Sequence, residues 1–335
     1  MMRIQQRLGS LRSDGWRLRR SWPRNRDHLL LELVDPSGRR IAGQWFGDQD
    51  RAASVAAATP GAWRRGAVVL QPDGADRRLP AVADLLADPQ HRLISHRPEK
   101  RAVIRSSAGY RKVVRPDAYP KALGGARLAG SLPVGAPAVV DACPATGTIT
   151  TEALPGRPLT QVLAGTAAID ACAAVGRRLA QLHRLNPPAV GRVSIAEHGP
   201  DEEIAVLRRW TRLSREFGVE RDFGEPPDLV PTTSPRLIHR DFHDGQVVMD
   251  GDRPGILDFD LMAWGDPALD LANFLAHLEL RAGQGILADR AGATEATLAG
   301  YRPDDAVQAA LPGYLASARM RLRAVYAFRD PELVS

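Results

Sequence analysis

Thirty-five residues limit what this chain can become more than any other stretch of it. Residues 237–271 read LIHRDFHDGQVVMDGDRPGILDFDLMAWGDPALDL. Two short apolar runs, Leu237-Ile238 and Gly255-Ile256-Leu257, each deliver an aspartate at their C-terminal end, Asp241 and Asp258, and the amide of Gln246 lies between them. Ionised carboxylates held close together are costly unless a cation or a proton transfer uses them. An H-x-D, an amide five residues after its aspartate, an apolar strand and then D-x-D make up the set that phosphoryl transfer asks for. One carboxylate orients the attacking hydroxyl, while the amide oxygen and a second carboxylate hold the magnesium that bridges the nucleotide phosphates.

On these residues the stretch resembles the catalytic and metal-binding segments of the aminoglycoside phosphotransferase and choline kinase family, a branch of the protein-kinase-like fold. His239-Arg240-Asp241 matches the family's H-x-D, and Asp258 matches its metal-binding aspartate. Gly265-Asp266-Pro267 with Asp270-Leu271-Ala272 matches its GDP-x-x-D-L-A tail. Several spaced elements agreeing in one stretch are specific where a lone H-x-D is weak.

The resemblance implies an α+β, bilobal fold: a small antiparallel β-sheet N-lobe, a mostly helical C-lobe and, here, an N-terminal extension. It implies Mg2+ and, as co-substrate, ATP or GTP. Asp241 is then the base that positions the hydroxyl, with His239 fixing its loop. Gln246, Asp258 and, two residues on, Asp260 are the expected metal ligands, Asp260 sharing a face with Asp258 if that segment is extended. Lys112, in R-K-V-V-R, is the expected ligand of the α- and β-phosphates, with Lys100 next. The backbone of Glu152, Ala153 and Leu154 falls at the interlobe hinge, where it meets the adenine edge. Asp266 has the spacing of a helix N-cap and stays outside the catalytic set with Asp270.

The chain departs from the family pattern at two places. Gln246 stands where the family has Asn, which moves the amide outward by roughly 1.5 Å, one carbon–carbon bond. Residues 118–134, which follow the lysine strand and contain Gly124-Gly125 and Pro133, hold no acid to pair with Lys112. No G-x-G-x-x-G and no G-x-x-x-x-G-K-[ST] occurs either.

At 335 residues the chain exceeds what one compact core usually needs. Three segments are expected: residues 1–90 as the extension, 91–155 as the N-lobe and hinge, and 156–335 as the C-lobe carrying the catalytic and metal-binding loops. Residues 1–26 contain eight arginines, Arg3, Arg7, Arg12, Arg17, Arg19, Arg20, Arg24 and Arg26, against the single acid Asp14. They read as a solvated, partly mobile leader or as a docking arm for an acidic partner. The runs 28–34 and 40–46, flanking Asp35-Pro36-Ser37-Gly38, predict a hairpin, followed by a short strand over 66–71 and a helix over 79–87. Strands are expected at 91–96, 101–106 and 110–115, then at 138–141 and 148–154. Helices are expected at 167–185, ended by Asn186-Pro187, at 201–218, at 268–280 and through 311–328, with Pro312 near the start of the last.

Charge separates the halves: residues 1–155 hold 25 Lys and Arg against 14 Asp and Glu, whereas residues 156–335 hold 20 against 25. A sequence pI near 9.8 argues against a polycationic aminoglycoside as acceptor, whereas the acidic second half suits metal and cationic substrates and weakens that objection. Only three lysines stand beside 42 arginines, a bias that suggests a GC-rich, bacterial genome. Two cysteines without metal spacing exclude a disulfide framework or structural zinc. No apolar leader and no run of about 18 apolar residues occurs. A cytoplasmic protein is expected, with neither membrane nor nucleic acid as partner. The expected activity is phosphoryl transfer to a hydroxyl of a small molecule such as an antibiotic, sugar or amino alcohol. Two alternatives are a kinase of Ser or Thr in a precursor peptide, with residues 1–90 docking an acidic leader, and a pseudokinase that only binds.

Overall fold

The computed structural model describes residues 4, 8–185, 195–219, 222–231 and 234–329. Arg3 and Arg7 of the basic leader, and the Asn186-Pro187 expected to end a helix, lie outside the described residues.

The first sheet holds β1 (Arg17–Asn25), β2 (His28–Val34), β3 (Arg40–Phe46), β4 (Trp63–Arg65) and β5 (Val68–Gln71), in the antiparallel order β1-β2-β3-β5-β4. Strand β2 is apolar at most positions because both its faces are covered, and all seven of its residues are buried. Leu29, Leu31 and Leu33 join a core completed by Leu213, Phe217 and Phe328 from far along the chain. Glu32, on the other face, pairs with Arg19 and Arg20. The arginine-rich leader is therefore no loose arm from Arg17 onward. Strand β1 takes part in the sheet, with a bulge between Leu18 and Arg20 that breaks its alternation.

The second sheet has β6 (Arg92–Arg97), β7 (Arg101–Ser106), β8 (Gly109–Val114), β9 (Val139–Cys143) and β10 (Thr148–Thr151), in the antiparallel order β6-β7-β8-β10-β9. A helix, Tyr119–Ser131, connects β8 to β9 and runs unbroken through Gly124-Gly125. Gly147 and Gly109 sit at positive φ where an added Cβ would meet a backbone oxygen at 2.2 and 2.1 Å, so these two turns admit nothing larger.

Apart from two small three-stranded sheets, the remainder is helical: Ala168–His183, Pro267–Gly283, Arg290–Tyr301 and Asp305–Tyr326 surround the main core, and Pro200–Phe217 packs on the first sheet. Asp266 caps its helix by accepting from the Ala268 N–H at 2.9 Å. The last helix begins at Asp305 and keeps Pro312 inside it, in place of a start beside that proline. Among the described residues, no helix is long and apolar enough to cross a membrane.

The first sheet and the segment that follows it reach both other parts. The sheet's core takes in Leu213 and Phe217 of the Pro200–Phe217 helix. On the other side Leu79 and Val82 pack on Ala102, Ile104 and Val113 of the second sheet. Buried Asp76 adds polar ties to the β6–β7 hairpin, bonding His96 Nε2 at 2.9 Å and accepting the Glu99 N–H at 2.7 Å.

Candidate functional site

The strand Arg236–Ile238 emerges from the core and turns sharply at Arg240, whose φ of 68° is left-handed. That conformation disfavours a side chain and persists only where its surroundings fix it. Here the fixing group is Asp270, fully buried in the first turn of Pro267–Gly283. Its two oxygens accept the N–H groups of His239 at 2.6 Å and Arg240 at 2.7 Å. His183 Nε2 donates to the same carboxylate at 3.1 Å, while its Nδ1 accepts from the Tyr301 hydroxyl at 2.8 Å. Burial pushes the Asp270 carboxyl up, and the donors from His183 and His239 overcome that push and hold it ionised.

His239, fully buried, spans the two acid-bearing loops. Its Nδ1 accepts from the Asp241 N–H at 3.3 Å, and its Nε2 donates to the Leu257 carbonyl at 2.7 Å, one residue before Asp258. Asp258 has φ 57°, and a single 3-10 turn, Phe259–Leu261, follows it. The segment is not extended, so this turn, and not strand alternation, brings Asp260 beside Asp258.

The second sheet supplies cations. Lys112 on β8 reaches Asp258 Oδ1 at 3.4 Å and also pairs with Asp260. Arg101 on β7 reaches Asp258 Oδ2 at 3.3 Å and pairs with Asp260 too. In this structure the two aspartates serve Lys112 as the acid absent from the Tyr119–Ser131 helix. Burial raises the Asp258 pKa, but Lys112 and Arg101 reverse that and hold it well below the usual carboxylate range.

Between the sheet and these loops lies a cavity of about 430 Å³. Lys112, Glu152, Leu154, Gln246, Asp258 and Asp260 line it, beside apolar walls from Val103, Ile149 and Val248. Lys100, Ala153, His239 and Asp241 are not among its lining residues. Lys100 is exposed on the β6–β7 turn, and Asp241 is half-buried at the edge of the catalytic loop. The Glu152 N–H already donates to the Ala138 carbonyl at 3.0 Å, leaving the rest of the hinge backbone to meet a base edge. Gln246, Asp258 and Asp260 are oxygen donors, two of them charged, converging on one cavity. That donor set fits a hard divalent cation such as magnesium.

His243 stacks on His277 with ring centroids 4.5 Å apart, and Asp244 beside them bonds Arg281 at 2.6 Å. The three could ligate a metal by proximity. Asp244 is instead committed to Arg281, and His277 Nδ1 donates to the Asn273 carbonyl at 2.9 Å, so the group buttresses the catalytic loop from below. Burial raises the Asp244 pKa, and the bonds from His243 and Arg281 together bring it below the ordinary range.

Reasoning from sequence missed Arg101, Asp76 and the structural use of Asp270. Arg101 gives one signal, standing opposite Arg97 across a three-residue turn, which would aim two cations along one hairpin.

No curated protein sequence matches this chain. Among solved structures it is similar to the aminoglycoside phosphotransferase APH(3'')-Id from Streptomyces rimosus, at 18% identity and TM-score 0.52, over 72% of this chain and 98% of that one. The same enzyme in complex with ADP and streptomycin gives TM-score 0.51 at 18% identity, with the same coverage of 72% and 98%. These likenesses establish the protein-kinase-like fold. The profile of the phosphotransferase enzyme family matches residues 123–306, more than half of the chain, taking in the hinge, the catalytic loop and the aspartate turn. With fold and family in agreement, the chain belongs to the phosphotransferase enzyme family and is a kinase-like enzyme acting on an alcohol group.

Proposed function

We propose that the protein transfers the γ-phosphoryl group of ATP or GTP to a hydroxyl of a small molecule, with magnesium. The observation that carries this reading is the convergence of Lys112, Gln246, Asp258 and Asp260 on one cavity walled by Val103, Ile149 and Leu154. The apolar walls suit a base, and the charged end suits its phosphates. The solved relative in complex with ADP and streptomycin supports a nucleotide with a small acceptor.

In this reading residues 1–90 are an extension, 91–155 hold the nucleotide from above, and 156–335 carry the reacting loops. Lys112 and Arg101 leave their aspartates for the nucleotide phosphates. Gln246, Asp258 and Asp260 hold magnesium, which when bound offsets charge on the phosphates. Asp241 receives the hydroxyl proton. The acceptor oxygen bonds to the γ-phosphorus, and the bond from that phosphorus to the β,γ-bridging oxygen breaks, its electron pair leaving on the nucleoside diphosphate. Nucleotide orientation and charge placement supply most of the rate.

The test is calorimetric titration of ATP and of GTP, with and without magnesium, into wild type and Asp258→Ala. Magnesium-dependent binding in wild type that disappears in the variant supports the reading. Binding indifferent to both magnesium and Asp258 refutes it and favours a pseudokinase.

A further inference from the structure

Three elements bring cations together outside the nucleotide cavity. Strand β1 and its turn into β2 carry Trp22, Pro23 and Arg24. Arg97, at the end of β6, lies over the Trp22 ring with its guanidinium carbon 4.9 Å from the centroid. Arg209 of the Pro200–Phe217 helix reaches the carbonyls of Pro23 at 3.4 Å and Arg24 at 3.5 Å. Lys100 closes the β6–β7 turn through its N–H bond to the Arg97 carbonyl at 3.0 Å. The extension, the hairpin and the Pro200–Phe217 helix thus each add positive charge to one place.

These charges are left over after the local acids are spent. Glu99, the acid of the turn, is taken by Arg77 at 2.7 Å and Arg78 at 3.6 Å. Glu32 is taken by Arg19, Arg20 and Arg40. Arg24 and Arg209 line one hollow, and the acids there, Asp27 and Glu216, pair with Arg26 at 3.1 Å and Arg212 at 3.9 Å. Among the described residues none of Arg24, Arg97, Lys100 and Arg209 has a carboxylate within ion-pair distance. Like charges fixed side by side disfavour the folded state unless something anionic joins them. The effect is felt at Lys100, exposed on its turn: partial desolvation first, and then the guanidinium groups of Arg97, Arg101, Arg24 and Arg209, push its ammonium down to about 8.

The cluster adjoins the catalytic loop without entering the nucleotide cavity. None of the four residues lines that cavity, nor does Asp241. Arg97 nevertheless feels the charges of both Asp258 and Asp241 through space. Arg97 thus brings the cluster within electrostatic reach of Asp241.

We propose that the acceptor is a small alcohol carrying an anionic group, a phosphate or a carboxylate, which Arg24, Arg97, Lys100 and Arg209 hold while its hydroxyl reaches Asp241. This rests on the phosphotransferase reading of the same site. A polycationic acceptor is repelled, in keeping with the basic charge of residues 1–155. The transfer itself is unchanged: hydroxyl oxygen to γ-phosphorus, proton to Asp241, nucleoside diphosphate leaving.

The test uses the full chain with a non-hydrolysable ATP analogue and magnesium at saturation, so that all three phosphate positions of the nucleotide are filled. Glycerol 3-phosphate, inorganic phosphate and neutral glycerol are then titrated into wild type and into the double variant Arg24→Gln/Arg209→Gln. Wild type is expected to bind the two anions and not glycerol. The double variant is expected to bind them about tenfold or more weakly, each lost contact being a charge-assisted hydrogen bond. Affinity for the analogue is expected to stay unchanged, and Arg24→Lys/Arg209→Lys to recover most of the loss. Equal anion binding by wild type and the Gln variant overturns the proposal. Weakened binding of the analogue in that variant also overturns it, since the cations then serve the nucleotide. A wild type that binds no analogue at all refutes the phosphotransferase reading itself, which the anion titrations leave separately visible.

Discussion

The imidazole of His239 sets the separation of the two acid loops, because one nitrogen holds the Asp241 backbone and the other holds the carbonyl before Asp258. Asp241 thereby gains a fixed place without giving up its carboxylate. Asp241→Asn keeps the shape and removes the proton acceptor, so kcat is expected to fall by roughly 10²- to 10⁴-fold. Nucleotide affinity should not change; a steady-state assay paired with calorimetry separates the two. His277 offers a pH test on the same loop. Its burial, then the neighbouring His243, hold its pKa well below 6.5. As pH falls through 6.5 the unfolded chain takes a proton that the folded chain refuses, so this group contributes stability above 6.5 that is lost on acidification. His277→Gln is expected to flatten the fall in melting temperature between about pH 7.5 and 5.5. At this scale the sequence was informative about Lys112, Gln246, Asp258 and Asp260, which it set apart and which meet at one cavity. It was silent about Arg101, whose partner Asp260 lies 159 positions away and is met only when the hairpin folds over the turn.

Elements were legible wherever period and turn chemistry agreed, as in the Asp35-Pro36-Ser37-Gly38 hairpin and the Ala168–His183 helix. Strand β1 was not, because its bulge disrupts the alternation and its arginines are neutralised by Glu32 from the next strand. The Tyr119–Ser131 helix contradicts its own sequence at Gly124-Gly125. Leu128 and Ala129 pack its C-terminal half into the main core, and that tertiary anchoring outweighs the propensity cost. A Cβ added at either glycine meets nothing within 4 Å. Gly124→Ala and Gly125→Ala are each expected to raise stability by about 0.5–1 kcal/mol in urea denaturation, by reducing the freedom of the unfolded chain. A loss of stability instead would mean that the helix needs its glycines for a motion.

Across the whole molecule, the first sheet was the least legible part, since its partners Leu213, Phe217 and Phe328 belong to distant helices. Phe217 is fully buried against Trp45 and Phe328, with ring centroids 6.3 and 5.9 Å apart. Phe217→Ala is expected to cost about 3–5 kcal/mol. If the sheet and helices unfold together, tryptophan fluorescence and circular dichroism should shift to the same lower midpoint; separate midpoints would show that the sheet detaches alone. The segment that follows this sheet grips the β6–β7 hairpin through Asp76, and the sheet itself packs on Leu213 and Phe217 of the Pro200–Phe217 helix, so together they span the cleft like a strut across an open book. The two covers then cannot swing freely. In the proposed reaction nucleotide is expected to enter along the open edge, with much of the ordering that a hinged kinase completes on binding already in place when the fold is made.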